Sequence, residues 1–336
     1  MSTHITTFRA SHKACLSAAV LLTVVTANCW LPFPAAAQTY SFRTVEVPGS
    51  ASSEIARSNN AGEMVGIFGT TQLFGGNSIF LASGVFTPIV IPGGGNSPTP
   101  IFALGINNHR QVVGIYTDQN RQQERGFLWN GPTRFFIFDV PGAHSTEGAA
   151  INDTGIVAGY YDDGSQFHGF TARCGPVNCS NFAMIDFPGA VGTTALGINN
   201  AGQVVGTYSL TDPYVNHARQ GFFQDTDQSF TTVDFPGSAE TLAYGINSSA
   251  DIAGIYLDGN AAAHGFTRIG GTFATLDFPG AAETEPTGIN DHKQVVGAYS
   301  FVNSRLTLDL YGFVATPVGG VNANGGTGRP RGGLWP

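Results

Sequence analysis

Gly197-Ile198-Asn199-Asn200-Ala201-Gly202-Gln203-Val204-Val205-Gly206 is the stretch on which the reading of this chain turns. Two short apolar segments flank Asn-Asn-Ala-Gly, a turn rich in residues that tolerate positive φ, which is how two antiparallel strands are joined. The pattern repeats. Its first Asn recurs as Asn59, Asn107, Asn152, Asn247 and Asn290, and a Gly follows each Asn seven residues later, at Gly66, Gly114, Gly159, Gly206, Gly254 and Gly297. Upstream of each copy lies Pro-Gly, at Pro48, Pro92, Pro141, Pro188, Pro236 and Pro279, with spacings of 44, 49, 47, 48 and 43 residues. Downstream, after a variable 10 to 15 residues, comes Gly-Phe, at Phe127, Phe170, Phe222, Phe266 and Phe313, with Ile79-Phe80 in its place in the first repeat. A constant step followed by a variable one separates a rigid hairpin from a tolerant loop.

Each repeat reads as four short strands; in the fifth they are expected at 241–247, 251–256, 264–269 and 273–278. Four strands at a period near 46 residues predict a propeller blade. Six copies predict an all-β, six-bladed β-propeller, with repeats near 48–91, 92–140, 141–187, 188–235, 236–278 and 279–316. The final repeat stops after its third strand. Residues 40–47, which include Phe42-Arg43-Thr44-Val45-Glu46-Val47, match a fourth strand such as Thr275-Leu276-Asp277-Phe278. The N-terminal strand is therefore expected to complete the last blade and close the ring, leaving no open sheet edge.

Together these motifs resemble the HAF family of bacterial extracellular repeats over about 40–316. The family's His-Ala-Phe stands here as His-Gly-Phe at His168 and His264, and the His is replaced in the other repeats. The resemblance implies secretion and a repeat domain. It implies no defined activity and supplies no catalytic residues.

Composition narrows the function. Only 11% of residues are charged and the net charge is −8. Lys13 and Lys293 are the only lysines, which argues against nucleic acid as a partner, since phosphate binding needs a basic surface. Arg9, His12 and Lys13 precede an apolar run, Ala14 to Thr26, and Ala35-Ala36-Ala37 offers small residues for cleavage. This reads as a secretory signal over 1–37, the run being too short to span a bilayer. Acylation at Cys29 is the alternative, for which Thr26-Ala27-Asn28 is a poor match. Cleavage after Ala37 leaves 13 basic against 23 acidic side chains, a charge of −10. The expected location is extracellular or periplasmic, as a monomer with no membrane span. Cys174 and Cys179, spaced by a Gly-Pro turn, are read as a disulfide formed in an oxidising compartment, with a metal site as the alternative. The Gly-rich segment 317–336 is expected to be disordered.

Residues repeated in every blade are read as structural. The Asn is expected to form an Asx turn. The small residues two before it (Gly105, Ala150, Gly197, Gly245, Gly288) relieve crowding at the axis, and His168 and His264 are scaffold. Candidates for function break the repeat. Arg57 stands where the other blades carry Gly or Ala, and is read either as a clamp for a carboxylate or sugar or as a partner of Glu54. The Pro-Gly crossovers and the loops before Gly-Phe are expected to share one acidic face. There His144, Glu147, Tyr214, His217, Arg219, Glu240 and Glu283 are the ligand-binding candidates. No cofactor and no metal site are expected from motifs, while the negative potential of this face suits a cation (a divalent one included), a cationic ligand or a sugar held by carboxylates and aromatics. The expected partner is an extracellular glycan or surface protein. A polysaccharide hydrolase or lyase using Glu147, Glu240 or Glu283, and a structural envelope protein, are the alternatives.

Overall fold

The computed structural model describes residues 38–69, 77–90, 101–118, 123–132, 134–211, 219–302 and 308–318. The signal segment 1–37 lies outside them, as do Cys29 and the candidates Tyr214 and His217.

Strand β1 is Thr39–Val45. Blade 1 is β2 (Ser52–Ser58), β3 (Met64–Gly69), β4 (Asn77–Ala82) and β5 (Val85–Ile89). Blade 2 is β6 (Ile101–Ile106), β7 (Val112–Asp118), β8 (Gln123–Trp129) and β9 (Phe135–Phe138). Blade 3 is β10 (Ser145–Ile151), β11 (Ile156–Asp162), β12 (Phe167–Cys174) and β13 (Cys179–Ile185). Blade 4 is β14 (Gly192–Ile198), β15 (Val204–Ser209), β16 (Arg219–Gln224) and β17 (Phe230–Val233). Blade 5 is β18 (Glu240–Ile246), β19 (Ile252–Leu257), β20 (Ala263–Ile269) and β21 (Thr272–Thr275). Blade 6 is β22 (Glu283–Ile289), β23 (Val295–Val302) and β24 (Leu308–Val318), completed by β1 in the order β1-β24-β23-β22.

The protein is thus a six-bladed β-propeller of four-stranded antiparallel blades. The ring closes as the chain ends predict, with Thr39 opposite Val318 and Val45 opposite Gly312. Strand β24 runs to Val318, so Pro317 and Val318, expected in the tail, belong to the last blade; pairing with β1 holds them there. In the fifth repeat the fourth strand is shorter than expected and ends at Thr275. Cys174 and Cys179 form the disulfide, across the β12–β13 hairpin.

Packing explains the repeated residues. A Cβ at Gly206 would lie 1.9 Å from the Thr194 carbonyl oxygen and 2.9 Å from the Phe222 ring. The same two clashes recur at Gly114, Gly159, Gly254 and Gly297. Each repeated Gly therefore lets its blade's Phe lie flat on the inner hairpin. Phe127, Phe170, Phe222, Phe266 and Phe313 are the largest fully buried side chains, at 0 to 1% exposure. In blade 1, Ile79 takes the Phe position, opposite Gly66. Neighbouring blades are joined by stacked rings: Phe187 on Tyr208 at 3.6 Å, Phe235 on Tyr256 at 3.8 Å, Phe278 on Tyr299 at 3.6 Å. Each Phe precedes a Pro-Gly crossover and each Tyr sits on the second strand of the next blade.

The repeated Asn does more than form a turn. Its Oδ1 accepts from the backbone amides two and four residues on, as in Ala201 and Gln203 onto Asn199. Its Nδ2 then donates to the carbonyl of the equivalent Asn in the next blade. Asn59 bonds Asn107, Asn107 bonds Asn152, Asn152 bonds Asn199, Asn199 bonds Asn247, Asn247 bonds Asn290, and Asn290 returns to Asn59, all at 3.0 to 3.2 Å. All six residues are buried. The result is a closed circle of side-chain bonds around the axis, on the face where first and second strands turn (the hairpin face).

Candidate functional site

The opposite face carries the starts of the inner strands and the loops between second and third strands. Register places them together: Gly192 pairs with Ser209, and Ser209 with Arg219. The starts of the inner strands and the ends of the second strands therefore share one face.

Between the faces the axis is blocked. The inner strands are closest at the small residues two before each Asn; a Cβ on Gly245 would lie 2.8 Å from the Gly288 Cα, and one on Gly105 would lie 2.8 Å from the Ala150 Cα. Arg57 fills this constriction. Its guanidinium crosses from blade 1 and donates to the carbonyls of Leu196 in blade 4 and Tyr244 in blade 5, each at 2.7 Å, and to Ala56 at 3.2 Å. Burial lowers its pKa to about 10, against the opposing pull of Tyr244 and Glu54. Arg57 is thus bonded to main chain across the ring, and Glu54 acts on it through charge.

Arg57 separates two cavities. On the hairpin side it lines a small one of about 80 Å³, among Ser58, Asn59, Asn107, Asn152 and their blade equivalents. On the crossover side lies a larger one of about 490 Å³, walled by residues of blades 3, 4 and 5. Leu196 and Tyr244, whose carbonyls hold Arg57, also line this larger cavity.

The larger cavity is amphipathic. Tyr160, Phe167, Tyr208, Leu242 and Tyr244 supply apolar and aromatic wall, and Glu147, Thr194, Thr207, Ser209 and Arg219 supply polar groups. Exposed Val191 and Leu210, at 41% and 54%, adjoin the lining residues Gly192 and Ser209. Arg219 is held at 3.2 Å by Glu240, which is 2% exposed. That pair leaves little net charge.

Glu147 is different. It is 8% exposed and faces Tyr160 across the β10–β11 ladder. The Tyr160 hydroxyl bonds its carboxylate, while Glu124 reaches it from β8 and shares a hydrogen bond. Burial and then Glu124 push Glu147 up to about 7, against the bond from Tyr160. Burial and Glu147 together push Tyr160 well above its ordinary value. Further round the axis, burial and then Glu285 raise Glu54 to about 7, in spite of Arg57. Burial and Glu283 raise Glu285.

The other sequence candidates are scattered. His144 does not pair with Glu147; it is exposed, packed over Gly164 of the blade 3 loop. Glu283 accepts from Ser300 at 3.2 Å. Glu147, Arg219 and Glu240 do converge. The lining residues Tyr160 and Tyr244 are not among the sequence candidates. Both break the repeat inside strands, where the equivalent residues are Ile67, Ile115, Thr207, Ile255 and Ala298, and Ala56, Leu104, Ala149, Leu196 and Thr287. Their signal is present in the chain, but on strands rather than in the loops where ligand contacts were expected.

His168 and His264 are cross-strand clamps. His168 bonds Asp186 at 2.9 Å and stacks on Tyr161, and His264 bonds Asp277 at 2.9 Å and stacks on Tyr256. Arg125 bonds Asp139 in the same place in blade 2. Burial alone would lower His168, but Asp186 and Asp163 outweigh it and hold the pKa above its ordinary value.

Among the described residues no group of three or more His, Cys, Asp and Glu is placed to hold a metal ion, and no helix is long and apolar enough to cross a membrane. No family model and no curated protein sequence matches the chain. Solved structures do. A mutant of AofleA from Arthrobotrys oligospora aligns at 12% identity and TM-score 0.47, over 84% of this chain and 91% of that one. A mutant of the Aleuria aurantia lectin in complex with Fucalpha1-6GlcNAc aligns at 11% identity and TM-score 0.44, over 84% and 100%. The polysaccharide lyase Uly1 aligns at 10% identity and TM-score 0.43, over 78% and 76%. At such identities and scores no residue and no ligand is transferred from them.

Proposed function

We propose that this chain is an exported binding propeller of the HAF repeat type, which holds a carbohydrate in the crossover-face cavity. The observation that carries the reading is the cavity itself. Its volume, about 490 Å³, falls in the range of small-molecule sites. Its wall combines aromatic faces, on which the apolar face of a sugar ring rests, with a carboxyl group, an Arg and hydroxyls that pair with sugar hydroxyls. Disulfide formation at Cys174 and Cys179 fits an oxidising compartment.

A second reading is favoured by the Glu147–Glu124 contact: a buried carboxyl group with a raised pKa suits a general acid in glycoside cleavage. One experiment separates the two. The purified protein is mixed with a panel of soluble and insoluble polysaccharides, and bound fraction and released sugars are assayed together. Retention without released product, weakened by Tyr244→Ala and by Thr194→Trp (which fills the cavity), is expected. Released sugar lost in Glu147→Gln would replace binding by catalysis. No retention on any glycan would remove both.

A further inference from the structure

Within the cavity, charge is unevenly balanced. Arg219 already has Glu240 at 3.2 Å. Around Glu147 the groups that bear on its charge are Tyr160, beside it on β11, and Glu124, from β8. Tyr244 from β18 bears on Tyr160 in turn. None of these is cationic. Glu147 thus lines a cavity whose Arg219 is paired with Glu240, and aromatic rings stand beside it: Tyr160 and Phe167 meet edge to face at 5.8 Å. Calcium or magnesium is a poor occupant, because each needs about six or more oxygen ligands and three acidic or imidazole side chains do not converge there among the described residues. An ammonium group needs far less. Two or three acceptors satisfy its protons, and tyrosine faces attract it through their quadrupoles.

Resting on the proposed carbohydrate site, we infer that the cavity selects sugars bearing a protonated amine, with the ammonium held by Glu147 and the ring against Tyr160 and Tyr244. A bound cation favours the ionised form of Glu147, which burial otherwise disfavours. Binding therefore releases a proton when Glu147 is protonated, and strengthens as pH rises through about 7, the value to which Glu147 is raised.

The test compares short glucosamine oligomers with their N-acetylated counterparts by titration calorimetry on the purified full-length protein. The expected preference for the free amine is about tenfold or more, the scale of one charge-assisted hydrogen bond. An N-trimethylated oligomer carries its charge at every pH and isolates the protein's own titration; its affinity should rise with pH across neutrality. Glu147→Gln keeps the shape and the Tyr160 contact, and should remove both the preference and the pH dependence while leaving the melting transition cooperative. Equal binding of amine and N-acetyl forms overturns this inference and leaves the carbohydrate site standing. A lysine-rich peptide that binds while every sugar fails overturns both. Because the ligand comparison uses the unaltered chain, it stands even if the variant does not fold.

Discussion

The two mouths of the ring are built from the same six repeats and differ in almost every respect that bears on function. On the hairpin face the six Asn side chains close a circle in which every blade bonds the next in the same way. A second set of bonds lies outside it, where the side chain of Asn60 accepts from the Asp291 amide, Asn108 from Asn60 and Asp153 from Asn108. On the crossover face the equivalent ring of inner-strand side chains reads Glu54, Phe102, Glu147, Thr194, Leu242 and Glu285. Symmetry is kept where the job is to hold blades together and abandoned where a ligand can enter. What recurs without exception reports how blades are packed and joined, and the exceptions report the site.

The comparison breaks most severely if the hairpin face and the ring closure are not what unify the fold. Deleting residues 38–47 removes the strand that closes blade 6 and leaves β24 as an open edge. A cooperative ring should then be lost, read as the disappearance of a sharp melting transition; unchanged melting would contradict closure. Gly254→Ala comes next. The added Cβ would lie 2.0 Å from the Leu242 carbonyl oxygen, and backbone cannot yield that far without displacing Phe266. A loss of about 4 kcal/mol or more is expected in urea unfolding.

Asn152→Ala tests the circle itself. It removes the bond to the Asn199 carbonyl and the acceptor for the Thr154 and Ile156 amides. Orphaning buried backbone groups should cost about 2–3 kcal/mol, and the crossover-face ligand affinity should change little. If affinity falls in step with stability, the two faces are not independent.

Stability should also depend on pH, through the crossover face. Glu147 and Glu54 are each raised to about 7 in the folded state. A carboxyl group with a raised folded pKa favours folding while it is protonated, so its contribution is present below its unfolded value and is lost as pH climbs through that of the fold. His168, also raised, contributes below its unfolded value and loses this on the same rise. Unfolding free energy should therefore fall between about pH 5 and pH 8, and Glu147→Gln should flatten the fall by about 1–2 kcal/mol. A flat profile in the unaltered protein would show that the carboxyl groups are hydrated and ordinary.

Arg57→Met should have the smallest effect, about 1 kcal/mol, since a half-buried charge exchanged for an apolar side chain of similar length loses hydrogen bonds but sheds its desolvation cost. Its sharper readout is Glu54, which should titrate higher once its cation is gone. If Arg57→Met instead abolishes ligand binding, the plug is part of the site.

Strand number, blade number, ring closure and the shared crossover face could all be read from the chain, because they follow from short-range spacing: an Asn, a Gly seven residues later and a Gly-Phe beyond. The disulfide was legible for the same reason, its two cysteines lying five residues apart. Local chemistry also identified the Asx turns and the small residues at the axis. What distance along the chain hides is which blade faces which. Arg57 was recognisable as an exception, but its partners Leu196 and Tyr244 lie 139 and 187 residues away. Glu147 was legible as an acidic residue in a promising place, yet its raised pKa comes from burial within the ring and from Glu124 of the preceding blade, against the bond from Tyr160. Sequence determined the repeat, because each blade must satisfy its own backbone and bury its own Phe. Only the closed ring decided the site, because a cavity between three blades and a plug across the axis come into being when strands far apart in sequence are brought around a common centre.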